Sequence, residues 1–136
     1  MAFSSSFELF NLNGDNGFVI EGINESDGSG ISVSRAGDLN GDGIDDVIIG
    51  AFSADPNGNS GAGESYVVFG QTTGFNPILE LSSLDGSNGF VINGVAPADS
   101  SGRSVSGAGD VNGDGIDDLI IGAFTADPNG NNGAGE

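Results

Sequence analysis

Short apolar segments alternate with stretches of glycine, asparagine, aspartate and serine along this chain. Residues 46–52 form a continuous apolar run, as expected for a strand that is buried on both faces. Residues 65–70 are β-branched and aromatic, residues 32–36 alternate small and apolar side chains, and residues 90–92 add a further apolar segment. The pattern predicts four short strands. Helical structure is expected to be limited to single turns, for which residues 78–84 are a candidate.

The whole pattern occurs twice in the chain. At an offset of 72 residues, from Asp38 to Asp110, residues 36–46 match residues 108–118 with a single change. A repeat of this length is typical of a propeller blade or of a solenoid unit. We therefore expect a tandem array of one four-stranded unit.

The repeat divides residues 1–136 into three parts of a single repeat region. Residues 1–22 are expected to be a leading linker and a strand of the fourth type, at residues 18–20, with no strands before it to pair with. Residues 23–94 form a first, full blade-like repeat, and residues 95–136 form a second, truncated one that lacks its third strand.

The predicted fold class is all-β, with propeller blades of four antiparallel strands. Only about two repeats are present, so the ring is expected to be incomplete, because propellers typically have 4–8 blades. Further blades are expected either from a longer parent chain or from self-assembly of several copies.

Charge restricts the partners of the chain. It carries 20 acidic and 2 basic residues, and its formal net charge is -18. Phosphate surfaces repel such a chain, so we expect no nucleic-acid partner, and the charge favours bound cations. No apolar run approaches the ~20 residues of a membrane helix, so no membrane insertion is expected. The absence of cysteine excludes disulfide and thiolate chemistry.

The acids are concentrated in two nine-residue loops, 38–46 and 110–118, called here the first and second acidic loops. Calcium takes 6–8 oxygen ligands, and alternate positions of such a loop point toward one centre as the backbone curls. The predicted ligands of the first loop are the side chains of Asp38, Asn40, Asp42 and Asp46 and the carbonyl group of Ile44. Those of the second loop are the side chains of Asp110, Asn112, Asp114 and Asp118 and the carbonyl group of Ile116. We expect two Ca²⁺ ions, one in each loop.

Several features of the loops bear on this assignment. Asp45 and Asp117, at position 8, are expected to point away from the ion. A donor set made of oxygen alone disfavours zinc and copper, and magnesium prefers a stricter octahedron. The alternative without a binding function is a solvated acidic turn that holds no ion. An EF-hand or dockerin loop is disfavoured because position 12, where an EF-hand has a carboxylate, is Ile49 or Ile121.

The string from residue 32 to residue 51, which recurs from residue 104 to residue 123, resembles FG-GAP repeats, the blade units of the integrin α-chain N-terminal β-propeller. In that family the calcium loop joins the first two strands of a blade, and its calcium positions correspond to the ligands given above. The Phe-Gly of the family is replaced by Ser29-Gly30, and its Gly-Ala-Pro by Gly50-Ala51-Phe52. With few basic residues and no cysteine, these departures favour a bacterial-type relative over an integrin subunit.

The resemblance implies a calcium-binding, non-catalytic module of an extracellular or cell-surface adhesion protein, with an unknown protein or glycan ligand. The chain contains no histidine, which removes the usual general base and any Ser-His-Asp triad. No enzymatic activity is therefore expected of the chain itself. The alternative is an accessory propeller region of a larger extracellular hydrolase or lyase. Arg35 and Arg103, the two basic residues, are expected to pair with nearby aspartates.

Overall fold

A computed structural model describes residues 5–136 of the protein. The strands in this part are β1 (Val19–Glu21), β2 (Ser32–Gly37), β3 (Asp46–Ala51), β4 (Glu64–Val68), β5 (Ile78–Glu80), β6 (Gly89–Asn93), β7 (Ser101–Gly109) and β8 (Asp118–Ala123). The helical segments among the described residues are three-residue 3₁₀ turns, at Leu9–Asn11, Pro56–Gly58, Leu81–Ser83 and Pro128–Gly130. None of them is long enough to cross a membrane. The protein is all-β, as predicted.

The first blade is a four-stranded antiparallel sheet in the order β2-β3-β4-β6. Its strands coincide with the four predicted apolar segments to within two residues at each end. In β3 every residue is buried except Val47, which confirms that this strand lies in the interior. Ile48 illustrates the register, since it pairs with Ser34 on one side and with Val67 on the other.

The second blade consists of β7 and β8, which pair antiparallel. The backbone groups of Ala123 and Glu136 exchange hydrogen bonds of 2.8 and 3.0 Å. This pairing repeats that of Ala51 with Glu64 at the start of the third strand in the first blade. Within residues 5–136 the sheets form an open arrangement of partial propeller blades.

The segment at residues 18–20 differs from the prediction. Its strand, β1, pairs in parallel with β5, in the register Val19 with Ile78 and Glu21 with Glu80. The partner β5 was not predicted as a strand, because three residues between Pro77 and a 3₁₀ turn give too short a pattern to recognise. Residues 81–83 do form the single helical turn that was expected of this region.

The core lies in two layers on either face of the first blade. One layer lies against β1, β5 and the turn after β5, where Ile49, Tyr66 and Leu81 are buried. The other layer, called here the inter-repeat cluster, is formed by Ala36, Ile48, Val67 and Val105, with Leu119 and Ile121 packed against it. Because Val105 belongs to β7, this cluster joins the two blades. The N–H of Val105 also donates to the hydroxyl of Ser32, at 3.0 Å.

Candidate metal centre

The two acidic loops occupy equivalent places, each between the first and second strands of its blade. In the first loop the carboxylate of Asp38 accepts three backbone N–H groups. Its Oδ1 atom lies 2.8 Å from the nitrogen of Gly41 and 3.0 Å from that of Asp42. Its Oδ2 atom lies 2.8 Å from the nitrogen of Gly43. The first predicted ligand therefore also determines the curl of the loop.

Two further predicted ligands complete this network. The side-chain oxygen of Asn40 accepts the N–H of Asp42 at 3.0 Å, and Oδ1 of Asp42 accepts the N–H of Ile44 at 2.9 Å. The amide group of Asn40 donates to Oδ2 of Asp42 at 3.0 Å. Three of the predicted side-chain ligands thus lie together on one curl of backbone.

The second loop reproduces the same backbone hydrogen bonds. Asp110 accepts the N–H groups of Gly113, Asp114 and Gly115, at 2.6, 3.1 and 2.8 Å. Asn112 accepts the N–H of Asp114 at 2.9 Å, and Asp114 accepts that of Ile116 at 2.9 Å. Two segments separated by a whole repeat thus adopt the same loop, so the loop is determined by its own nine residues.

Glycine is required inside each loop. Gly41 and Gly43 have φ angles of +76° and +86°, and Gly113 and Gly115 have φ angles of +81° and +89°. A residue with a Cβ atom is strained in this region, whereas glycine adopts it freely. The alternation of ligand and glycine in the sequence is therefore the pattern that such a curl needs.

Asp46, the last predicted side-chain ligand of the first loop, is fully buried. Its Oδ2 atom accepts the N–H of Leu39 at 2.9 Å, and its Oδ1 atom accepts the N–H of Gly70 at 2.8 Å. Asp118 makes the first of these contacts in the second loop, with Val111 at 2.8 Å. Asp46 thereby fastens the loop to the end of β4, a link that the nine-residue motif alone does not reveal.

The backbone network affects the charge of Asp110. The N–H of Gly115 lowers the pKa of Asp110 below the ordinary value of a carboxyl, and the N–H groups of Gly113 and Asp114 act in the same direction. A carboxyl whose pKa is lowered by folding stabilises the folded state above its unfolded pKa. That contribution is lost as the pH falls through the lowered pKa. Asp110 is thus kept ionised, in the form that binds a cation.

The donor set fits a hard cation chemically, because every predicted ligand atom is oxygen. A carboxylate has about four acceptor positions. Asp38 uses three of them on the hydrogen bonds given above, and Asp42 and Asp46 use two each, so each retains capacity for an ion. Among residues 5–136, however, no three acidic side chains are grouped closely enough to enclose an ion in this conformation.

The side chains at position 8 face away from the curl. Asp45 forms an ion pair with Arg35, with 2.6 Å between Oδ1 and the guanidinium nitrogen. Asp117 reaches the other repeat, where its Oδ2 atom accepts the N–H of Asp38 at 3.1 Å. Sequence reasoning did not identify this contact, since nothing in the local pattern shows what lies across the joint between blades.

The two arginines behave differently. Arg35 pairs with an aspartate as predicted, whereas the guanidinium of Arg103 lies 4.5 Å from the ring centroid of Phe52 and 5.7 Å from that of Phe124. The ion pair predicted for Arg103 is therefore not found among the described residues, and that prediction was wrong. The position of Arg103 between two aromatic rings favours a cation–π contact instead.

Comparison with known proteins agrees with this architecture. The FG-GAP repeat family matches residues 29–68 and 101–136, which are the first three strands of the first blade and the whole of the second. The chain is also similar to integrin alpha pat-2 of Caenorhabditis elegans, with 38% identity over 95 residues. The matched region is 70% of this chain but only 7% of that protein. The chain belongs to the FG-GAP repeat family, and its repeats are like those of integrin α-chains.

Proposed function

We propose that this chain is a calcium-binding, non-catalytic part of a β-propeller in a cell-surface or secreted adhesion protein. The observation that carries the proposal is the recurrence of one glycine-punctuated loop of oxygen donors, with the same backbone hydrogen bonds, in two FG-GAP repeats. The similarity to an integrin α-chain supports an interaction role.

Calcium would be held by the predicted ligands of each loop. Asp38, Asp42 and Asp46 supply three carboxylates in the first loop, and Asp110, Asp114 and Asp118 supply three in the second. These side chains repel one another when they approach, and a divalent ion removes that repulsion.

The role of the ion in this proposal is mechanical. Each loop joins the first two strands of its blade, and Asp46 also fastens the first loop to Gly70, two residues after the end of β4. An ion that fixes the loop therefore fixes three strands of the sheet relative to each other. The adhesive ligand would be a protein or a glycan that contacts the loops of the assembled propeller.

Calcium is expected to raise the melting temperature of the protein. If the affinity of each loop is that of extracellular calcium modules, about 10⁻⁴–10⁻³ M, then about 10 mM calcium stabilises the folded state by about 1–3 kcal/mol per loop. For the two loops together we expect an increase of about 7–20 °C over the value in chelator. Differential scanning calorimetry measures it directly, and magnesium at the same concentration is expected to have a smaller effect.

The double variant Asp42→Ala/Asp114→Ala is expected to lose this increase. Asp42 accepts only one backbone N–H, from Ile44, so its removal disturbs the loop less than removal of Asp38. The matched control is Glu8→Ala/Glu25→Ala, which removes two exposed charges outside both loops and is expected to keep the full effect. Equal melting temperatures of the unsubstituted protein in calcium and in chelator would refute the proposal.

A further inference from the structure

We infer that Asp117 positions Asp38 across the joint between the two repeats and thereby couples the two acidic loops. The inference rests on the proposed function, since it concerns how strongly the first loop binds calcium. Asp117 is not a ligand in this scheme. It is a positioning residue that acts on the first ligand of the other loop.

The contact itself is specific. The Oδ2 atom of Asp117 lies 3.1 Å from the backbone nitrogen of Asp38, in a partly buried position, although the two residues are 79 positions apart. An N–H donor paired with an ionised acceptor is a strong hydrogen bond. Within the described residues, it is also the only hydrogen bond from the other repeat that reaches a backbone group of a predicted loop ligand.

The neighbouring residue leaves room for this contact. Gly37 has a φ angle of +82°, and a Cβ atom placed on it would overlap the carboxylate of Asp117. Any other residue at position 37 would push that carboxylate away from Asp38. A glycine immediately before the first ligand is therefore required by the joint between the blades as well as by the backbone conformation.

The equivalent residue of the first loop makes no such contact. Asp45 pairs with Arg35 instead, and the space beside Gly109, the counterpart of Gly37, contains no atom within 4 Å in the described part of the chain. The link therefore runs from the second loop to the first. Asp45 and Asp117 have the same side chain at the same loop position, and only one of them bridges the repeats.

The link has a consequence for ion binding. Asp117 precedes Asp118, a predicted ligand of the second loop, so an ion that orders this segment also orders the group that holds Asp38. Asp38 in turn holds three N–H groups of its own loop. Binding at the second loop is thus expected to strengthen binding at the first, and the coupling must be reciprocal because it is a free energy.

The test compares position-8 variants in the full chain, first with both loops intact and then with only the first loop able to bind. With both loops intact, the first site is expected to bind calcium more tightly than in Asp114→Ala, and Asp117→Ala is expected to remove this difference. In an Asp114→Ala background, which disables the second loop, calcium affinity is measured by isothermal titration calorimetry. Adding Asp117→Ala is expected to weaken the remaining site by about two- to tenfold, the effect of one hydrogen bond. Asp117→Asn retains an oxygen acceptor and is expected to restore most of the affinity.

Asp45→Ala is the control, because it removes the same charge from the loop that is being measured. An equal loss of affinity in Asp117→Asn and Asp117→Ala would show that charge alone matters, and this would overturn the inference. A second readout is the amide proton of Asp38 in NMR spectra without calcium. It is expected to move upfield in Asp117→Ala and to stay in place in Asp45→Ala.

The two proposals fail in different ways. If the unsubstituted protein binds no calcium, the proposed function is wrong, while the Asp38 amide resonance still tests the bond across the joint. If the protein binds calcium but Asp117→Ala leaves both the affinity and the Asp38 amide unchanged, the coupling is wrong and the proposed function stands. A folded state for each variant is verified by circular dichroism, with Asp117→Asn as the milder replacement.

Discussion

Replacing Ile48 by alanine is expected to lower the free energy of unfolding by about 2–5 kcal/mol, the range for a buried isoleucine. The same replacement at Ile120 is expected to change it by less than about 0.5 kcal/mol, as is usual for surface positions. Urea unfolding followed by circular dichroism, in chelator so that calcium does not contribute, measures both changes.

The two isoleucines differ only in what covers them. Each occupies the third position of its blade's second strand, and the sequences around them are nearly identical. Ile48 is completely buried in the inter-repeat cluster, where Val105 of the second blade packs on it. Ile120 is 61% exposed, because no further blade lies on that face in the described residues. The difference between the two variants therefore measures what packing between repeats contributes.

Equal losses at the two positions would contradict this arrangement. A large loss at Ile120 would mean that its face is covered in solution, and a concentration dependence of the midpoint would identify another copy as the cover. A small loss at Ile48 would mean that the two blades do not pack together as described. Either result would contradict the packing described here, in which the second blade covers Ile48 and leaves Ile120 exposed.

The fold was largely predictable from the sequence because each strand carries its own signal. The apolar run of β3 and the β-branched, aromatic run of β4 are recognisable in isolation, and the repeat supports each assignment twice. The pairing of β1 with β5 was not predictable, since each strand has three residues and their parallel partnership joins segments far apart in the chain. Pairing of this kind depends on the packed blade and not on local sequence.

In the acidic loops, too, the local conformation could be predicted from the sequence, whereas the contacts between distant segments could not. The curl of the loops was predictable, since the ligand spacing and the glycines at positive φ belong to nine consecutive residues. The burial of Asp46 against Gly70 and the reach of Asp117 to Asp38 were not. Both contacts join segments brought together only by the sheet or by the joint. Calcium binding at these positions stays a prediction of the sequence that the experiments above test.

The joint between repeats also explains why identical residues have unequal roles. The face of the first blade that receives the second contains two serines, an alanine, two glycines and an isoleucine that recur unchanged in the second blade. They are Ser32, Ser34, Ala36, Gly37, Ile48 and Gly50 together with their counterparts Ser104, Ser106, Ala108, Gly109, Ile120 and Gly122. Among the described residues, Ala36, Gly37, Ile48 and Gly50 of the first set are buried. Their counterparts Ala108, Gly109 and Ile120 are exposed, and Gly122 is half-buried. Burial in a repeat array follows from position in the array, and sequence identity alone does not reveal it.

Replacing Gly50 by alanine is expected to separate the two blades and to lower the free energy of unfolding by about 3 kcal/mol, the upper range for overpacking a filled site. Gly50 pairs with Ser32 and Ser65 in the middle of the first blade. Its φ angle lies outside the left-handed region, so alanine fits its backbone conformation. A Cβ atom there would nevertheless overlap the carbonyl oxygen of Gly102 in β7 and lie 2.9 Å from its carbonyl carbon. Because both obstacles are backbone atoms, no side-chain rotation relieves the overlap.

Gly122, the counterpart of Gly50 in the second blade, supplies the matched control. Its φ angle is also outside the left-handed region, and the nearest atoms to a Cβ placed on it are 3.8 Å away, on Ser104. Alanine at this position is expected to be neutral or to stabilise the protein by about 0.4–1 kcal/mol, because it reduces the entropy of the unfolded chain. The same urea unfolding series measures both variants. If Gly50→Ala were as stable as Gly122→Ala, the close approach of β7 to β3 could not be present in solution. A loss at both positions would instead show that the second blade is covered by a neighbour whose backbone approaches Gly122 as Gly102 approaches Gly50.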